Sequence, residues 1–316
     1  MLSLYRNIRK LGEGGYGCVY LYQNKINDSQ VAAKFMDVAE YLRKANEIKK
    51  ALKESNSLIA LDHPQIIKFE TAFLLDSEII MFTEYMPGGE LGQYVKNNDI
   101  SEKVAKQIFK LILEPVQYCH THGIIHRDLK LENILLQDEK DPQTLKIIDF
   151  GIAGIWSIYG GEISTAGTLY YTPPEVVSET DLQSDPKIDI WALGVILFII
   201  LTKRYPFKGK DYDDTRIEIL ESKISFESKA ERRLSKEAKH LLSMLLNKDK
   251  HQRYSMREIA SHPWMNEVIS VEKENTPLTS LKMAFITDAI AEEIKGIIYP
   301  VLTSENLSAM ERSLQK

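Results

Sequence analysis

The sequence predicts an α+β fold of two lobes, a small strand-rich N-terminal lobe with one helix and a larger helical lobe. Three observations predict it. Residues 5 to 85 alternate in a strand-like way, with one helical interruption. From Glu90 onward helical segments dominate. Pro87-Gly88-Gly89 stands where one pattern gives way to the other and reads as a hinge. The expected divisions are 1–86, 87–268 and a helical tail over 269–316. A chain of 316 residues has room for a large core and more than one lobe.

Taken in order, "YRNIRKLG", "CVYLYQN", "QVAAKFMD", "IIKFETAFLL" and "EIIMFTEYM" read as strands. Between the third and fourth, residues 39–62 read as a helix, with Leu42, Ile48, Leu52 and Leu58 among its apolar positions. "SEKVAKQIFKLILEPVQYCHTHG" is the clearest helix, with Ser101 as its N-cap and Gly123 as its stop. "IWALGVILFIILT" is too short to span a bilayer and follows Asp189, so it reads as a buried core helix. In the tail, Ile286, Ile290, Ile294 and Ile297 share one helical face, Pro300 stops that helix, and Ser304 caps a further one.

Composition narrows the partners. The chain is 44% hydrophobic and 27% charged with a formal net charge of −5, which points to a soluble protein and away from nucleic acid. Cys18 and Cys119 lie far apart without metal-ligand spacing, as expected in a reducing compartment. The N-terminus has no basic segment followed by an apolar one, and Met1-Leu2-Ser3 lacks the glycine that myristoylation needs. A cytoplasmic protein without a membrane anchor is the expectation.

Four stretches carry chemistry. In "LGEGGYGCVYL", Gly12, Gly14 and Gly17 let a hairpin bring backbone N–H groups to phosphates with no Cβ in the way. A plain glycine-rich hairpin explains the same residues, and the following strand rules out a dinucleotide fingerprint. "VAAK" sets Lys34 on a strand among apolar neighbours, where an ammonium needs an anion. Glu54 on the following helix and the phosphates of ATP are the two candidates. "HRDLKLEN" offers Asp128 to accept a proton from an attacking hydroxyl, Lys130 to reach a transferring phosphoryl group, and Asn133 as a neutral oxygen ligand. "LKIIDFGIAG" ends a strand in Asp149, a charged second ligand, and two oxygen ligands plus phosphates suit Mg²⁺. A loop aspartate alone is commonly a turn former; the ordered set is not explained that way.

On these motifs the chain resembles a eukaryotic protein kinase over roughly Tyr5 to Asn266. The resemblance implies a bilobal kinase fold that transfers the γ-phosphoryl of Mg-ATP. It implies that Leu11, Gly12, Glu13, Gly14, Gly17, Val19 and Ala32 surround the nucleotide. It makes Lys34 the phosphate-binding lysine and Glu54 its partner on the C-helix. Asp128 becomes the base, Lys130 the phosphate contact, and Asn133 and Asp149 the Mg²⁺ ligands. Thr83 resembles the gatekeeper, and Glu84 to Met86 the adenine-binding hinge. "PPE" at Pro173 to Glu175 replaces the usual Ala-Pro-Glu, with Glu175 still able to pair with Arg253, and Asp189 resembles the residue that braces the catalytic loop.

Lysine two places after Asp128, together with "GTLYYTPPE", resembles the Ser/Thr class. "YMPGGEL", "YPFKG" and "HPWM" resemble its calcium/calmodulin-dependent group. Glu90 and Glu132 match positions facing the peptide, implying preference for basic residues N-terminal to the target; Glu90 equally suits a helix start or the ATP ribose. Ser164 and Thr165 are candidate phosphate acceptors for Arg127. The tail resembles the junction of calcium-dependent protein kinases, whose EF-hands are absent, so a calcium-sensor domain would lie outside this chain. A nucleotide-binding scaffold that docks partners is the competing reading.

Overall fold

The computed structural model describes residues 2–14, 17–37, 62–75, 78–149, 169–178 and 185–265. They fall into two compact units. One takes the described residues of Met1–Asp62 and Ile67–Tyr85; the other takes His63–Ile66 and those of Met86–Val271. The expected helix over 39–62 with Glu54, the segment holding Ser164 and Thr165, and the tail beyond Met265 lie outside the described residues.

The first unit is one antiparallel sheet. Its strands are β1 (Tyr5–Gly14), β2 (Gly17–Asn24), β3 (Gln30–Asp37), β4 (Phe69–Leu75) and β5 (Glu78–Glu84), in the order β1-β2-β3-β5-β4. Alternation sorts the side chains. Tyr22, Val31, Ala33, Ile80 and Phe82 form the core of one face, with Tyr5 stacked on Phe82 at 4.6 Å between ring centroids.

The second unit holds α1 (Leu91–Asn97), α2 (Glu102–Thr121), the hairpin of β6 (Ile134–Asp138) and β7 (Asp141–Ile147), then α3 (Pro174–Val177) and α4 (Lys187–Thr202). These are followed by α5 (Tyr212–Glu221), α6 (Lys229–Arg232), α7 (Lys236–Leu245) and α8 (Met256–Ser261). The expected caps of α2 are present. The Ser101 side chain accepts the N–H of Val104, and the helix ends in a Schellman turn, Ile124 N–H to Cys119 O at 2.9 Å and Gly123 N–H to His120 O at 3.1 Å. Gly123 supplies the left-handed residue at φ 73° that this turn requires.

The apolar run forms α4, buried from Asp189 through Ile200, so a helix greasy on every side finds packing on every side. None of the described helices is long and apolar enough to cross a membrane. Beneath α4, Arg253 is fully buried, binds both oxygens of Glu175 at 2.7 and 2.9 Å, donates to the carbonyls of Lys187 and Asn247, and lies 5.1 Å from the Trp191 ring. A guanidinium meets such a site because its planar fork satisfies several acceptors at once.

Candidate active site

Residues 126–133 form a loop closed by a short 3-10 turn, Leu131–Asn133, that leads straight into β6. The Asp128 carboxylate accepts from Lys130 Nζ at 2.9 and 2.8 Å and from Asn133 Nδ2 at 3.0 Å. Asn133 Nδ2 also donates to the Asp128 carbonyl at 2.7 Å. With its nitrogen committed twice to Asp128, Asn133 presents its oxygen as the remaining donor atom for a cation. The Ile148 N–H bonds the Asn133 carbonyl at 2.9 Å, which ties the end of β7 to this loop and sets Asp149 in the same neighbourhood. An amide oxygen and a carboxylate are hard oxygen donors, so the residues present fit Mg²⁺ bound with phosphates and water.

The loop hangs from a buried carboxylate. Asp189 at the start of α4 is 1% exposed and accepts the N–H of His126 and of Arg127, each at 2.8 Å, and His120 Nε2 at 2.8 Å. Burial pushes the Asp189 carboxyl up, but the hydrogen bond and charge of His120, with His126, outweigh it and hold the group below its ordinary range. His126 accepts the Asp128 N–H at Nδ1, 3.3 Å, so its Nε2 carries the hydrogen that goes to the Ile148 carbonyl at 3.0 Å. Two residues of this assembly, Arg127 at φ 66° and Asp149 at φ 61°, hold left-handed backbone. For non-glycine residues that costs on the order of 1–3 kcal/mol each, sustained here by the buried bonds around them. Beside the loop, Cys119 is buried and its thiol is pushed up to about 12 by burial and by Asp189, so it is no nucleophile.

In the strand-rich unit the candidate residues are placed by register. Val19 pairs with Lys34, Lys34 with Met81, and Ala32 with Thr83. Paired residues share a face, so Val19, Ala32, Lys34 and Thr83 lie together on the face opposite the Val31, Ala33 and Phe82 core. β1 and β2 close at Gly14 opposite Gly17, with Gly12 opposite Val19 and an open space where a Cβ of Gly12 would stand. Leu11 is half-buried, and Glu13 pairs with Lys10 at 2.5 Å in solvent. Glu84 accepts the Lys68 N–H at 2.6 Å, while Met86, buried, begins the stretch that belongs to the other unit. In the other unit, Glu90 precedes α1 without capping it, and its carboxyl is raised by burial and then by the charge of Glu132.

Sequence reasoning passed over His120. Nothing local marks it, because its partner Asp189 lies 69 residues on and the pair exists only once α2 packs on α4. It also passed over the Tyr171–Tyr205 contact, whose residues lie in separate segments of the chain.

Comparison with known proteins gives one picture. Residues 5–265 match the family model described as protein kinase domain. Calcium-dependent protein kinase 5 of Plasmodium berghei is 35% identical over 81% of this chain and 44% of its own length. Calcium-dependent protein kinase 32 of Arabidopsis thaliana is 29% identical over 99% of this chain and 58% of its own. Serine/threonine-protein kinase SRK2C of Arabidopsis thaliana is 32% identical over 94% of this chain and 84% of its own. The chain thus spans about half the length of the calcium-dependent relatives.

Proposed function

The chain belongs to the protein kinase family, and on that footing we propose that it is an ATP-dependent serine/threonine kinase acting on protein substrates. The observation that carries this reading is the Asp128, Lys130 and Asn133 cluster, tied through Ile148 to Asp149. The substrate hydroxyl oxygen forms the new bond to the γ-phosphorus, the bond to the bridging oxygen of ADP breaks, and Asp128 takes the hydroxyl proton. Lys130 meets charge on the moving phosphoryl group. Asn133 and Asp149 would hold Mg²⁺, which when bound would neutralise phosphate charge. Lys34, with Glu54 as its partner, holds the phosphates under the Gly12–Gly17 hairpin. Leu11, Glu13, Val19, Ala32, Thr83, Glu84 and Met86 enclose the nucleotide.

Substrates carry arginine or lysine N-terminal to the target. The carboxyl of Glu90, raised by burial and then by the charge of Glu132, supports this, since two neighbouring carboxylates attract a cation. Calcium dependence, through a sensor segment outside this chain, follows the names of the two calcium-dependent relatives. The test is transfer of labelled γ-phosphate to serine peptides with and without an N-terminal arginine, with and without Ca²⁺. Preferred labelling of the arginine peptide is expected; nucleotide binding with no transfer would favour a scaffold instead.

A further inference from the structure

The second unit carries an aromatic cluster that the reaction above does not use. Tyr170 and Tyr205 are stacked, with centroids 4.3 Å apart and planes 26° from parallel, and Tyr171 meets Tyr205 edge-on at 6.0 Å. An intrinsic cation sits on this stack: Lys208 Nζ lies 6.0 Å from the Tyr170 ring centroid and 5.9 Å from that of Tyr205. Lys208 is exposed, so its ammonium is exchangeable with another cation at small desolvation cost.

The stack lies within electrostatic reach of Glu132. Tyr171 reaches both the Leu131 backbone and the Tyr205 hydroxyl, which anchors the aromatic cluster one residue before Glu132. Burial and then the charge of Glu132 raise the hydroxyls of both Tyr171 and Tyr205, which places that carboxylate within electrostatic reach of the rings. An exposed carboxylate beside stacked electron-rich faces is the chemistry that receives a guanidinium or an alkylammonium.

We propose that Lys208 is a specificity-determining residue: its ammonium occupies the Tyr170–Tyr205 stack that an arginine or lysine of the substrate takes over on its way to Glu132. The inference rests on the basic-directed reading of Glu132 given above. It adds that the kinase weighs each incoming cation against one of its own, so removing Lys208 strengthens selection for basic peptides.

The experiment compares kcat/KM of the full chain for serine peptides carrying arginine or glutamine at each position N-terminal to the target. Lys208→Met is expected to lower KM for one arginine-containing peptide by roughly two- to fivefold, the scale of an exposed cation–π contact, with the glutamine peptide unchanged. Lys208→Arg restores wild-type behaviour. Lys208→Met that leaves the arginine-to-glutamine ratio at every position as in wild type overturns the proposal. Glu132→Gln is the separate arm. If it leaves the ratio intact, the basic-directed reading itself fails; if it removes the ratio while Lys208→Met does not alter it, only the role of Lys208 fails.

Discussion

The two units hold their candidate residues by different means. In the helical unit, Asp128 and Asn133 are fixed by side-chain bonds to one another and by backbone bonds that run to Asp189 and Ile148. In the strand-rich unit, Val19, Ala32, Lys34 and Thr83 share a face because the strands pair in one register. The first arrangement depends on long-range burial, the second on a period of two. A one-residue slip of β3 would send Lys34 into the core face, whereas no single slip dissolves the loop. The difference teaches that the part proposed to handle the proton is the one whose integrity is coupled to the large core.

That contrast can be broken from the large-core side first. Arg253→Ala leaves the carboxylate of Glu175 without its bidentate partner at a site where Arg253 is fully buried. About 3–5 kcal/mol of stability should be lost, read by urea unfolding, with the loss of activity tracking the loss of folded protein. A variant that is as stable as wild type would show that the helical unit is not held there.

A pH series sharpens the same point. Burial depresses Lys248 to about 7, Arg253 adding to the fall and Glu218 opposing it, while its ammonium lies 3.5 Å from the Phe207 centroid and donates to the carbonyls of Glu218 and Ile219. The folded chain therefore releases a proton near pH 7 that the unfolded chain keeps to about 10.4. Stability should rise with pH from 7 towards 9, by less than about 1.4 kcal/mol per unit because the side chain is partly exposed. Subtracting the Lys248→Met profile isolates this slope; identical profiles would remove Lys248 as its source.

The smallest effect belongs to the strand-rich unit. Gly17 holds φ 122° at the hairpin turn, so Gly17→Ala should cost about 1–2 kcal/mol locally. KM for ATP should rise while kcat for bound nucleotide changes little. An equal fall in kcat with unchanged KM would mean that the hairpin does not serve nucleotide binding.

How far the sequence reached follows the same division. Alternation and glycine spacing made the five strands legible, because strand period and hairpin chemistry are local. The Ser101 cap and the Gly123 stop were legible for the same reason. The motif order named Asp128, Asn133 and Asp149, and "DIW" pointed to Asp189 as the brace. What no local pattern contained was His120 as the partner of Asp189, or the left-handed backbone at Arg127 and Asp149. Those arise from contacts between segments far apart in the chain, and burial alone makes them strong. The packing of Tyr171 on Tyr205 was illegible likewise, since either tyrosine fits an ordinary half-buried position.

The most direct measurement is peptide phosphorylation by Asp128→Asn beside calorimetric binding of Mg-ATP by the same protein. The carboxylate that receives Lys130 and Asn133 is predicted to be the proton acceptor, so transfer should fall about 10²–10⁴-fold with nucleotide affinity and thermal stability close to wild type. Transfer at the wild-type rate by a folded Asp128→Asn protein would contradict the account.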